Sequence, residues 1–444
     1  MSEQTISDSS ETLEPGNAIE EGGATSGGRQ FASNAFWMIL SESAGKVASV
    51  AFVLLVARSL GTAAYGYFNF ATSFVPLLLI FATWGLNLAL IRELARQTDR
   101  LSELFSSGLV LRAGLGAAAI AVAIAISPLF VDNGQAVAVI AVVGVALFLD
   151  ELSNLLGAVF KAFERMKFNA VVNLANRILS IVFAIVVLAR GGGLIALCVA
   201  YLLGSVGAFV CAWLTLGRFF PPVHLRDASR TVVKQLARQG MVIGLAGGLN
   251  MAVFRIDAVM LQAIKGPVAV GLYGVAYRFI DAILFISWSL ANVALPRISR
   301  AGRSRVTDRT CTATAALLLA FYLPIGVGSL FTARWVVTLL FSKRYAVAAP
   351  AVPWLTFAAV FYALAFLARM ATIALGRRSA VVWVAALSLA VNIGVNAFAI
   401  PRYGYQGAAV VTFITEVVDA VVMIAVFART LGRVPLSKVL LVPL

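Results

Sequence analysis

The sequence is poor in the residues that build metal centres, disulfide frameworks and soluble surfaces. It has one histidine, His224, in a polar loop beside Pro221 and Pro222. Its three cysteines, Cys198, Cys211 and Cys311, sit in apolar runs with no CxxC or Cys/His spacing. Neither a Cys/His metal site nor a disulfide framework is suggested, and no cofactor is called for. Charged residues make up only 12% of the 444 positions, far too few for a soluble surface. The net charge of +15 does not imply nucleic acid, because most Lys and Arg fall between apolar runs rather than on one soluble face.

Hydrophobic residues account for 61% of the chain, in long continuous runs without alternation. A helix needs about 20 apolar residues to cross the hydrocarbon core, and only helices or closed barrels satisfy their backbone there. The sequence therefore predicts an all-α polytopic membrane protein of about twelve transmembrane helices. The spans are expected near 33–57, 67–90, 105–130, 136–160, 168–189, 193–216, 239–263, 270–296, 311–332, 346–375, 379–400 and 405–428.

Residues 1–30 are rich in Ser, Glu and Gly and lack the basic start and apolar core of a signal peptide, so they read as a disordered tail. Lys and Arg cluster in alternate connections: Arg92, Arg96 and Arg100; Lys161, Arg165 and Lys167; Arg218 to Arg238; Arg297 to Arg309; Arg377 and Arg378; Arg429, Arg433 and Lys438. The positive-inside rule puts these clusters, and both termini, on the cytoplasmic side. The longest connection, 217–238, divides residues 31–216 from residues 239–430, and 431–444 form a second tail.

A repeat supports that division. A shift of 205 positions superposes Gly61 on Gly266, Gly66 on Gly271, Ala71 on Ala276, Phe74 on Phe279, Asn87 on Asn292 and Arg92 on Arg297. Each half holds an even number of spans, so both enter from the same side. The repeat is therefore parallel, about an axis along the membrane normal.

The first copy, Arg58-Ser-Leu-Gly-Thr-Ala-Ala-Tyr-Gly-Tyr followed by Gly85-Leu-Asn and Ile91-Arg-Glu-Leu-Ala, resembles the opening signature of the polysaccharide transporter family. The second, in Arg255-Ile-Asp, Gly271-Leu-Tyr-Gly-Val-Ala-Tyr-Arg and Leu295-Pro-Arg-Ile-Ser, is similar to that family's later segment. These are flippases of lipid-linked O-antigen and exopolysaccharide units, within the multidrug/oligosaccharidyl-lipid/polysaccharide exporter superfamily. The resemblance implies two six-helix bundles in a V shape and a sugar substrate carried on undecaprenyl pyrophosphate. Membrane lipid, a polysaccharide polymerase and chain-length machinery are its expected partners.

Charge inside the spans marks the candidate site. Six cations (Lys46, Arg112, Arg177, Arg255, Arg278 and Arg369) and seven acids (Glu42, Asp150, Glu151, Asp257, Asp281, Glu416 and Asp419) lie there. A central charge costs roughly 2.5 to 3.5 kcal/mol on insertion scales, so a polar cavity or pairing is expected around them. Glu42 with Lys46, and Arg278 with Asp281, have the spacing of ion pairs within one helix. Arg112 and Arg369 are within snorkelling reach of the cytoplasmic face. Arg177 and Arg255 have no acid three or four residues away. Asp257 stands two residues from Arg255, nearly on the opposite side of the helix.

All six cations are candidate ligands of a pyrophosphate, whose geometry favours bidentate guanidinium contacts. The seven acids either carry a coupling proton or sodium ion or balance neighbouring arginines. The stretch Val253–Arg300, with Arg255, Asp257, Arg278 and Asp281, is the leading candidate for the working part. Two alternatives stand beside the flippase. A cation-coupled drug exporter of the same superfamily would be expected to line its cavity with acids. A membrane polysaccharide polymerase or ligase would be expected to carry a sizeable outer loop, whereas the longest here is about 333–345. No enzyme is expected.

Overall fold

The computed structural model describes residues 21–432 apart from Trp84, with no side-chain description for residues 21–32 and a few others, Glu42 among them. Thirteen α-helices account for nearly all of it: α1 Glu21–Leu60, α2 Thr62–Thr83, α3 Leu86–Arg96, α4 Leu101–Ile126, α5 Gly134–Ala162, α6 Met166–Ala189, α7 Leu194–Phe219, α8 Arg230–Lys265, α9 Pro267–Ile283, α10 Phe285–Ala301, α11 Arg305–Phe341, α12 Ala351–Ala374 and α13 Arg378–Thr430. Among the described residues there is no strand. In hydrocarbon this is what apolar runs must do, because each helix pairs its own backbone.

Residues 21–30, expected as part of the tail, form the first turns of α1; residues 1–20 and 433–444 lie outside the described part. Two expected spans are each built from two helices. The second is α2 and α3, broken at Gly85, and the eighth is α9 and α10, interrupted at Leu284. The connection 217–238 is partly helical, since α8 begins at Arg230. Its irregular part is docked on α4: the His224 amide donates to Ser102 Oγ at 2.8 Å and the Ser229 amide to Ser107 Oγ at 2.9 Å.

Ten helical stretches of the described part are long and apolar enough to cross a membrane. The charged helix α8 is not among them, and α13 counts once although it crosses twice. At 53 residues a straight α13 would run about 80 Å. Gly404 breaks it, with φ 57° and ψ −138°, a backbone conformation that residues other than glycine rarely adopt. The limbs fold back on each other. Ser388 donates to Asp419 at 2.9 Å across 31 residues of sequence, which a straight helix would hold roughly 46 Å apart. Taken with α8, and with each limb of α13 counted separately, the ten stretches make twelve long helical segments among the described residues.

Helices α1 to α7 pack mainly on one another, as do α8 to α13. Helix α2 lies between them, against both α8 and α9, and α3 and α4 meet the first turns of α8. The closest approach is at the start of α2 and α9. A β-carbon on Gly66 would lie 1.8 Å from the Pro267 carbonyl oxygen, and one on Gly271 would lie 2.2 Å from that of Thr62. Small residues are what allow helices to meet this tightly in a membrane.

The same end is tied further. The Arg58 guanidinium donates from Nε to the Leu340 carbonyl at 2.6 Å and from Nη2 to that of Leu339, capping carbonyls left free at the end of α11. Tyr345 OH donates to the Ala57 carbonyl at 3.0 Å.

Candidate functional site

Three helices of the first half carry polar stripes at helical spacing. They are Ser41, Gly45, Lys46 and Ser49 on α1; Asp150, Ser153 and Asn154 on α5; and Asn173, Asn176 and Arg177 on α6. Residues three and four apart share a helix face, so each stripe turns to the same space. They line a cavity of about 280 Å³. A second volume of about 340 Å³ continues from it, sharing Ser49, Asp150, Asn154 and Arg177, and reaches Glu151, Tyr201, Arg255 and Arg278.

Four cations, Lys46, Arg177, Arg255 and Arg278, thus face one continuous cavity with two carboxylates, Asp150 and Glu151. Asp150 is held in place, accepting from Asn176 Nδ2 at 2.6 Å and from Tyr201 OH at 3.1 Å. Among the described residues neither Arg177 nor Arg255 has a carboxylate within ion-pair distance. Lys46 lies 6.0 Å from the centre of the Trp288 ring, a cation–π contact from α1 to α10.

Arg278 is the hub. It pairs with Asp281 at 3.2 Å and reaches α2 by long contacts of 3.5 Å to Tyr65 OH and to Asn69 Oδ1. It also borders a third space of about 350 Å³ between α1, α9, α11 and α12, lined almost wholly by apolar groups such as Leu54, Phe279, Ile325 and Val336. A basic cavity and an apolar groove therefore meet at one guanidinium. Asp281 lines a small side pocket with Arg255, Tyr273 and Tyr277.

Two expected cavity cations lie elsewhere. Arg112 is wholly buried, with Nη1 donating to the Glu151 carbonyl at 2.7 Å and lying 3.5 Å from its carboxylate, while Nη2 reaches the Thr83 carbonyl at 3.4 Å. It braces the break between α2 and α3, where helical pairing ends. Arg369 is buried against Asp419 at 2.5 Å. Both point at a neighbouring helix instead of the cavity, which spacing along one helix does not reveal.

Three acids also lie away from the cavity lining. Asp257 accepts from Tyr273 OH at 2.7 Å, from Thr412 Oγ1 at 2.8 Å and from Asn396 Nδ2 at 2.7 Å. Asp419 takes Arg369 and Ser388, and Glu416 is buried beside them. The pair expected between Glu42 and Lys46 lies outside the described side chains. Sequence reasoning passed over Asn173, Asn176 and Tyr201 in the cavity and Ser388, Asn392 and Asn396 on α13. The regular spacing of the polar residues on α6 and α13 was a signal available for them.

A family model described as polysaccharide biosynthesis protein matches residues 31–301. An uncharacterized membrane protein of Methanocaldococcus jannaschii is 24% identical over 223 residues, which are 48% of this chain and 44% of that protein. The match thus spans less than half the length of that curated relative. Three solved structures are similar. The lipid II flippase MurJ in an inward closed conformation has a TM-score of 0.75 at 14% identity, over 90% of this chain and 89% of its own. An inward-facing multidrug resistance MATE family transporter of the MOP superfamily has 0.73 at 18%, over 87% and 94%. A MOP superfamily transporter from Pyrococcus furiosus, described as having a binding pocket of reversed polarity, has 0.65 at 17%, over 91% and 96%. At these identities the likeness is one of fold.

Proposed function

We propose, for a chain that belongs to the polysaccharide biosynthesis protein family, that it is a flippase. Its substrate is an oligosaccharide repeat unit carried on undecaprenyl pyrophosphate, moved from the inner to the outer leaflet for O-antigen or exopolysaccharide assembly. The observation that carries this reading is the place of Arg278, where a basic cavity meets an apolar groove. Such a junction fits an amphiphile with an anionic head and a long apolar tail.

The pyrophosphate would sit among Arg177, Arg255, Arg278 and Lys46. Guanidinium groups replace its hydration with directed hydrogen bonds, and the tail follows the groove into lipid. Four cations against two carboxylates count against an exporter of cationic drugs. With both termini cytoplasmic, the end tied by Gly66, Gly271, Arg58 and Tyr345 faces outward. The conformation described is then one reached from the cytoplasmic side, and alternating access requires those ties to part. An inside-negative potential assists, at about 2.3 kcal/mol per transferred charge per 100 mV.

The test replaces Arg177, Arg255 and Arg278 singly by Ala in a cell whose surface polysaccharide depends on this protein. Surface polysaccharide should fall in each while the variants still fold. Normal export by all three would overturn the reading.

A further inference from the structure

We infer that Glu416 is the group that binds and releases a proton in this protein's working cycle. The inference rests on the transport reading for the meaning of that cycle, though not for the site. It comes from the α13 hairpin, whose two limbs carry facing polar rows. Ser388, Asn392 and Asn396 are spaced by four on the first limb, and Thr412, Thr415, Glu416 and Asp419 on the second. Ser388 bonds Asp419, while Asn396 and Thr412 meet on the same Asp257 carboxylate. That register sets Asn392 opposite Thr415 and Glu416. The result is a buried polar ladder roughly 12 Å long.

The ladder holds one cation, Arg369, against three carboxylates. Asp419 is answered by Arg369 and Ser388. Asp257 is answered by three neutral donors, Tyr273, Thr412 and Asn396. Glu416 is 3% exposed and its Oε2 has no partner. Among the described residues three further buried atoms on the facing rungs are also unpaired: Thr415 Oγ1, Asn392 Nδ2 and Asn396 Oδ1.

An ionised carboxylate so buried and unanswered is strongly disfavoured. A proton removes the charge and gives the carboxyl an O–H to donate to one of the orphaned oxygens. The charged groups around Glu416 are Asp419 on its own limb, Arg369 on α12 and Asp257 on α8, with the phenols of Tyr362 on α12 and Tyr277 on α9.

The site also has a way to sense the cavity. Helices α8 and α9 present Arg255 and Arg278 to the cavity, and Tyr273, Tyr277 and Asp281 line the small side pocket with them. Tyr273 donates to Asp257 at the end of the ladder. Tyr273 thus joins the small pocket to the first acid of the ladder. A hydronium ion gives a proton to the Glu416 carboxylate in one state, leaving water, and water takes the proton back from the carboxyl in another, re-forming hydronium.

Infrared difference spectroscopy on the full chain in lipid vesicles, titrated with acid in choline chloride, tests this. The C=O stretch of a buried protonated carboxyl should appear reversibly, vanish in Glu416→Gln, and persist in Asp257→Asn and Asp419→Asn. Absence from the unmodified protein, or persistence in Glu416→Gln, overturns the site. Loss of the band when sodium replaces choline at constant pH means a metal cation takes the place, and also overturns it. In cells, surface polysaccharide should be lost in Glu416→Gln; normal export with the band behaving as expected overturns the role in the cycle. Because the spectrum needs no substrate, its failure is distinct from failure of the flippase reading.

Discussion

Gly66 on α2 and Gly271 on α9 each rest on the backbone at the start of the other's helix, Gly66 on Pro267 and Gly271 on Thr62. The 205-residue shift that relates the halves carries Gly66 to Gly271 and Thr62 to Pro267. One contact is therefore the image of the other. Reciprocity of this kind is the signature of a twofold interface. A twofold axis passes between the two helices, and the repeat read in the sequence is present in the packing.

Adding bulk at this crossing should separate the halves. Alanine at Gly66 or Gly271 places a methyl inside a carbonyl oxygen, and overpacking of this sort costs about 1–3 kcal/mol. Both variants should melt lower in detergent. A cysteine at Ala57, buried beneath Tyr345, should become more reactive to a water-soluble maleimide in either. Unchanged labelling would mean that the crossing does not hold this end shut.

Arg112 should matter for folding rather than for transport chemistry. Replacing it by Ala strands the Thr83 carbonyl and leaves Glu151 without its cation, and breaking a buried pair costs roughly 3–5 kcal/mol. Lysine should rescue little, because a single ammonium does not serve both Glu151 and Thr83. Thermal unfolding and yield of purified protein measure this.

The pair of Arg369 and Asp419 should show strong coupling. Arg369→Leu alone leaves the buried Asp419 carboxylate with no cation, and should cost several kcal/mol, of the order of 3–5. The double change Arg369→Leu with Asp419→Leu removes both charges together and should be milder than the single one. A double-mutant cycle on melting in detergent would reveal additivity if the pair were not coupled.

Removing Arg177 or Arg255 should behave in the opposite way. Neither has an ion pair among the described residues, so Gln at either position should alter stability by roughly 0.5 kcal/mol or less while lowering export. Arg278→Lys should fall between the native protein and Arg278→Ala in export, since it keeps the charge but loses the fork that spans Asp281, Tyr65 and Asn69. Melting curves set beside surface polysaccharide separate the two effects.

Much of the site was legible in the chain itself. Lys46, Arg177, Arg255 and Arg278 stood out because charge in an apolar run is costly unless something polar faces it. Arg112 and Arg369 stood out for the same reason, yet they brace neighbouring helices. Tyr201, Asn176 and Thr412 carry no charge and drew no notice, although they fix the carboxylates.

Length and continuity of the apolar runs determined the all-helical fold, the twelve long helical segments and the repeat, because those depend on local hydropathy and on residues near in sequence. The tertiary structure alone decided which neighbour each buried charge meets. Gly404 turns α13 back so that Ser388 reaches Asp419, and Asp257 meets Asn396 and Thr412 across 139 and 155 residues. Pairing over such distances is set by the facing of helices, which periodicity within one helix does not contain.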